Sequence, residues 1–109
     1  MKSSDILGLD DLRTETVRVE QWDRDLTIRE LDLESAAKML SMGSEQDGEF
    51  TINAEQIASV VAWGVIDDDG ERLFSDDDIP ALQKKSRDAL MFLYLKITGI
   101  SSVEDAEKN

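Results

Sequence analysis

Apolar and polar residues alternate with period two in two short runs near the start of the chain. Val17 and Val19 flank Arg18, and Leu26 and Ile28 flank Thr27. That period places alternate side chains on one face of a strand. The polar break from Trp22 to Asp25 predicts a turn, so Thr16 to Leu31 is expected to form a β-hairpin. One face of it carries Val17, Val19, Leu26 and Ile28. A two-stranded hairpin is barely stable alone in water, so this face must lie on a helix or on another chain.

The period changes after Leu31. Leu33, Ala36, Ala37 and Leu40 fall at i, i+3, i+4 and i+7, which predicts a helix from Leu33 to Met42 with Asp32 as its cap. The stretch from Gly43 to Glu49 holds two glycines and several polar residues and reads as a surface loop. Asn53 and Gln56 then stand at capping-box spacing and open a second helix. Ile57, Val60, Val61 and Val65 make its stripe. Ala58, Ala62 and Ile66 lie on the other side, with Trp63 at the flank. A helix apolar on more than one face is central or shared with a partner.

Ser86 to Thr98 carries the strongest helical signal. Leu90, Leu93, Tyr94 and Ile97 form one stripe, Met91, Phe92 and Leu95 form a second apolar face, and Gly99 is expected as the C-terminal cap. Residues 1–14 read as a partly mobile arm, with Ile6, Leu7, Leu9 and Leu12 forming a helical turn packed on the body. Ser102 is expected to start a last short turn with Glu104 and Asp105 near its positive end. Residues 103–109 read as a mobile acidic tail. Together these elements predict an α+β fold: one mainly helical domain over residues 1–109, with an N-terminal hairpin followed by three to four helices.

Charge narrows the partners. The 109 residues include 25 acidic and 12 basic side chains, for a formal net charge of −13. Such a chain repels nucleic acid and anionic membranes, so neither is expected as a partner. There is no cysteine and no histidine. This excludes disulfides, zinc–thiolate sites and thiol nucleophiles, and removes the commonest general base and metal ligand. No apolar run approaches the roughly 18 residues of a membrane helix, and the first residues lack the apolar core of a signal peptide. No phosphate-binding loop, dinucleotide fingerprint or nucleophile elbow is present. No catalytic residue, metal ligand or cofactor is predicted.

The stretch VIDDDGERLFSDDDIP, from Val65 to Pro80, is the most acidic. Counted as a calcium loop with Gly70 at its sixth position, it has Asp67 and Asp69 in place. Val65 then stands at the first ligand position, and Asp76 replaces the usual bidentate glutamate. The bland reading accommodates every residue. Asp69-Gly70 is a turn dipeptide, Leu73 and Phe74 dip into the core, and Ser75 with Asp78 forms a capping box. Pro80 falls slightly late for a helix capped at Ser75, which leaves Asp77 or Asp78 as alternative caps. Aspartates this crowded show none of the contrast in environment that acid–base catalysis needs.

The order of features is similar to that of a known family. DDLRTETVRVEQW leads into a hairpin ending LTIREL; then come a helix, a polar gap and IASVVAWGVIDDDGERLFSDDDIPALQKKS. A helix, TGIS and EDAEKN close the chain. This resembles the tail assembly chaperones of long-tailed bacteriophages, from about Asp10 to Asn109 and most specifically from Val65 to Ser86. Pro80 and the gap from Gly43 to Phe50 depart from the family's pattern. The resemblance implies a non-enzymatic protein that binds the tape measure protein, keeps that long apolar chain soluble and helps tail tube subunits polymerise around it. The tail tube protein is the second implied partner, the host cytoplasm the implied location, and the mature virion is expected to lack the chaperone.

A chaperone for an apolar client needs apolar surface set in a charged remainder. Trp22, Trp63, Ile66, Met91, Phe92 and Leu95 are the candidates for partner contact. The competing readings of the same residues are core packing and a homo-oligomer contact. Two other functions fit an acidic chain: an inhibitor that mimics nucleic acid, and another small interaction module.

Overall fold

The computed structural model describes residues 1–42, 44–46, 49–51 and 53–100. It is an α+β fold, mainly helical, with a three-stranded antiparallel sheet. Strand β1 (Thr14–Val19) pairs with β2 (Arg24–Arg29), and Val17 faces Leu26 across the pair. The expected face is the buried one: Val17, Val19 and Ile28 are in the core and Leu26 packs against it. The turn sits earlier than its expected place. Glu20–Trp22 forms a 3-10 turn, and Asp23 adopts a left-handed conformation at φ 52° before β2 begins. Aspartate tolerates that region better than most residues, and Arg18 holds its carboxylate while also reaching Asp25.

The helix α2 (Leu33–Met42) forms where its period places it, with the Asp32 carboxylate accepting from the Ser35 N–H at 2.7 Å. Its leucines face outward. Leu33 and Leu40 are 87% and 61% exposed, whereas Ala36 and Met39 pack against the core. The reason lies in α3 (Ala54–Gly64). Gln56, 1% exposed, donates its amide to the Met39 carbonyl at 2.9 Å. Asn53 donates to the Met42 carbonyl at 3.1 Å. The last carbonyls of a helix have no partner within it, so these two amides fix the rotation of α2 and override its leucines.

Between α2 and α3 the expected loop contains a small antiparallel hairpin, β3 (Ser44–Gln46) and β4 (Glu49–Thr51). The predicted cap of α3 holds: the Asn53 carboxamide accepts from the Gln56 N–H at 2.7 Å. The helix is short of its expected end. Val65 and Ile66 leave it as β5 (Val65–Ile66), paired antiparallel with Ile28 and Thr27 of β2. Both are buried, as strand residues rather than helical ones. The reversal at 67–71 explains the switch. The Asp67 carboxylate accepts from the Asp69 and Glu71 N–H groups, Gly70 takes a φ of 81°, and Leu73 N–H reaches back to the Val65 carbonyl.

Both expectations for the second acidic cluster are met by a two-step helix start. Ser75 and Asp78 form the capping box of a 3-10 turn at Asp76–Asp78, and α4 (Ile79–Leu82) follows with Pro80 in its first turn. Phe74 packs on the core, while Leu73 stays half out. The last helix, α5 (Arg87–Ile100), has the Ser86 hydroxyl accepting from the Ala89 N–H and buries Ala89, Leu90, Leu93, Tyr94 and Ile97. Gly99 lies inside this helix instead of ending it. The Arg13 guanidinium binds both the Ile100 carbonyl and the Glu30 carboxylate, which ties the C-terminal end of α5 to the sheet.

In the N-terminal arm, α1 (Ser3–Leu7) buries nothing. Ile6, Leu7 and Leu9 stand in solvent instead of packing on the body. The turn at Ser102, with Glu104 and Asp105, and the tail at 103–109 lie outside the described residues. No helix among the described residues is long and apolar enough to cross a membrane.

Helix α3 is buried almost all round and meets α5 closely. A Cβ at Gly64 would fall 2.6 Å from Ile97 Cδ1 and under 3.0 Å from two more of its carbons. Ile97 is itself fully buried. Gly64→Ala is therefore expected to destabilise the fold by about 1–3 kcal/mol, as overpacking does. Urea unfolding checks this against Gly70→Ala, where the added methyl meets nothing within 4 Å and only the φ of 81° opposes it.

Candidate functional site

Helix α5 turns its second apolar face outward. Leu95 is 60% exposed, and Met91 and Phe92 are half-buried beside it. Positions 91 and 95 are one turn apart, as are 92 and 95, so the three make a continuous ridge. On one flank of the ridge is an open cleft of about 480 Å³, lined by Phe92, Leu95, Lys96 and Ile100 of α5 and by Glu15 of β1. The Lys96 ammonium lies 5.8 Å from the centre of the Phe92 ring. That is within cation–π range and keeps a charge at the rim of an apolar surface.

Met91 faces the other flank. It lines a smaller cleft of about 120 Å³ with Ile57, Leu90, Lys85 and Arg87. Lys85 also lines a third cleft, about 230 Å³, with Trp22, Phe74 and Leu82. Trp22 thus folds back on the body from the hairpin turn and stays half-buried. The structure brings Met91, Phe92 and Leu95 together on α5. Lys85 links Met91 to Trp22.

Trp63 and Ile66 stand apart from this surface. Ile66 is 8% exposed and paired with Thr27 in the sheet, so it serves the protomer's own core. Trp63 is half-buried at a polar cleft of about 210 Å³, among Arg29, Asp32, Lys38, Arg72 and Asp76. Arg72 is the hub there. Its Nε donates to the Ala62 carbonyl at 3.2 Å and its Nη2 binds Asp76 at 2.8 Å. The Arg72 guanidinium holds the Asp76 carboxyl below its ordinary value of 3.8, with smaller help from the Trp63 indole N–H and Lys38. The Ser35 N–H holds Asp32 low in the same way. Burial raises the Tyr94 phenol above its ordinary 10.0, so it stays neutral across physiological pH.

Among the described residues no three acidic side chains converge as a metal would require. The carboxylates of the acidic stretch are engaged locally: Asp67 by backbone amides, Asp76 by Arg72, Asp78 by Ser75. What the described residues expose is an apolar ridge on α5 beside open clefts. Leu33 and Leu40, both exposed, and Lys85, which lines two clefts, are not among the residues that the sequence offers as contacts. The basic cluster of Lys84, Lys85 and Arg87 was the available signal for Lys85.

No protein-family model matches the sequence. No curated protein matches it by sequence either. The fold, however, is shared with a solved structure, the bacteriophage HK97 tail assembly chaperone. The two superpose with a TM-score of 0.62 at 18% sequence identity, over 88% of this chain and 99% of that one.

Asp32 and Asp76, both held low in the fold, give a pH dependence. A carboxyl held low in the fold stabilises it fully above its unfolded value, and this contribution fades as pH falls through the lower folded value. Stability is therefore expected to fall as the pH drops below about 3.8. Asp76→Asn should flatten that fall slightly, because the pair is exposed and screened. Urea midpoints measured along an acid series check both; equal acid sensitivity in the variant would remove Asp76 from the account.

Proposed function

We propose that this protein is a tail assembly chaperone of a long-tailed bacteriophage, which binds the tape measure protein, keeps it soluble and assists tail tube assembly. The observation that carries this reading is the shared fold with the HK97 chaperone over nearly the whole of both chains. The surface supports it. An apolar ridge on α5 stands free in a protein of net charge −13. Apolar contact gives affinity for an apolar client, and the charge keeps the complex dissolved. On this reading the protein has no catalytic function, and it acts in the host cytoplasm and leaves before the virion matures. Its partners on this reading are the tape measure protein and the tail tube protein, with no nucleic acid and no membrane among them.

The alternative of a nucleic-acid mimic needs a row of free carboxylates spaced like phosphates. The carboxylates of Asp67, Asp76 and Asp78 are committed to turns and caps, which speaks against it.

The gene is expected to lie between tail tube and tape measure genes, and co-expression with that tape measure protein should yield a soluble complex on size-exclusion chromatography. Leu95→Glu should weaken the complex about tenfold or more, as loss of an apolar anchor does, and leave thermal stability unchanged, since Leu95 is 60% exposed. A tape measure protein equally insoluble with and without this chain would reject the proposal.

A further inference from the structure

Lys85 lines two apolar clefts at once, one floored by Leu82 beneath Trp22 and Phe74, the other by Leu90 beneath Ile57 and Met91. Neither Lys84 nor Lys85 has an ion pair among the described residues, whereas Arg13, Arg18, Lys38 and Arg72 all meet carboxylates. Arg87 approaches only its exposed neighbour Asp88, at 3.6 Å. A cationic island on a chain of charge −13, set between two apolar hollows, is a site of definite chemistry. We infer that it seats a partner's amphipathic helix bearing a carboxylate between two apolar side chains, with Lys85 pairing the carboxylate and the two clefts taking the anchors. The inference rests on the chaperone reading and says which segments of the client are chosen.

Charge selects among occupants. A polyanion such as nucleic acid meets the whole negative field of the molecule before it reaches Lys85. A second copy brings the same −13 and is repelled at low ionic strength. An apolar helix with a single well-placed carboxylate escapes both penalties. Helices that dock in grooves present anchors about four or seven residues apart, so the acidic residue belongs between anchors at that spacing.

The test uses the full chain and overlapping peptides spanning the tape measure protein, with binding followed by fluorescence anisotropy. The best-binding peptide is expected to carry a carboxylate between two apolar residues. Lys85→Glu should weaken it about tenfold, chiefly through slower association, and the loss should shrink in high salt. Replacing the peptide's carboxylate by lysine should restore binding to the Lys85→Glu protein. Lys85 is exposed, and an unchanged melting temperature confirms that the variant folds. Undiminished peptide binding by Lys85→Glu, with binding lost in Leu95→Glu, would overturn the seat and leave the chaperone reading standing. Loss of self-association in Lys85→Glu, with peptide binding intact, would give the site to a second copy and overturn the inference. No binding of any peptide by the unaltered protein would take the chaperone reading down with it.

Discussion

The approach of α3 to α5 sets the geometry on which everything else rests. Gly64 has no side chain, and Ile97 fills the space where one would stand. With the backbone of α3 this near, α5 can bury Leu90, Leu93 and Ile97 against it, and Val19 and Ile28 of the sheet complete the core. Helix α3 is enclosed by its neighbours. Asn53 and Gln56 at its start cap the end of α2, and Val65 and Ile66, which follow it, form the third strand of the sheet. One buried helix thus positions the other elements. The bulk of each large side chain sealed at this contact is worth about 1.5–3 kcal/mol of transfer energy, a large share of the 5–15 kcal/mol typical of a small domain.

Such a core consumes only part of the apolar surface. Helix α5 uses its inner face against α3 and the sheet, and its outer ridge at Met91, Phe92 and Leu95 is left over. The same is true of α2, whose leucines face out because polar side chains, not apolar ones, decide its rotation. The charges divide in the same manner. Asp67, Asp76 and Asp78 are occupied in building the reversal and the helix start after β5, and the remaining acids supply solubility. Lys85, without an ion pair among the described residues, stands beside two apolar hollows, as Lys96 stands at the rim of the cleft beside Phe92 and Leu95.

Much of this was legible in the residues. Period two at Val17, Val19, Leu26 and Ile28 marked the hairpin and its buried face. The Asn53 cap and the Ser75–Asp78 box placed two helix starts. The apolar excess on α5 was visible as a second face, and three of the six candidate contact residues do lie on one ridge. What failed did so for physical reasons. Val65 and Ile66 continue the helical stripe of α3, and only their pairing with β2 makes them a strand; a tertiary contact overrode the local period. Leu33 and Leu40 satisfy helical spacing equally well inward or outward, and the choice was made by hydrogen bonds from Gln56 and Asn53, two residues far along the chain. Gly99 has the composition of a cap, but α5 runs through it to Ile100, whose carbonyl accepts from the Arg13 guanidinium. Lys85 carried no periodic signal, since its significance comes from two clefts built by four different elements.

The central claim is that α5 has one face committed to the fold and one face spare. Solvent paramagnetic relaxation of side-chain methyl resonances in the free protein tests it most directly. Strong broadening is expected at Leu95, intermediate broadening at Met91, and none at Leu93 and Ile97. Protection of Leu95 equal to that of Leu93 would mean that the ridge is already covered, and would contradict the account.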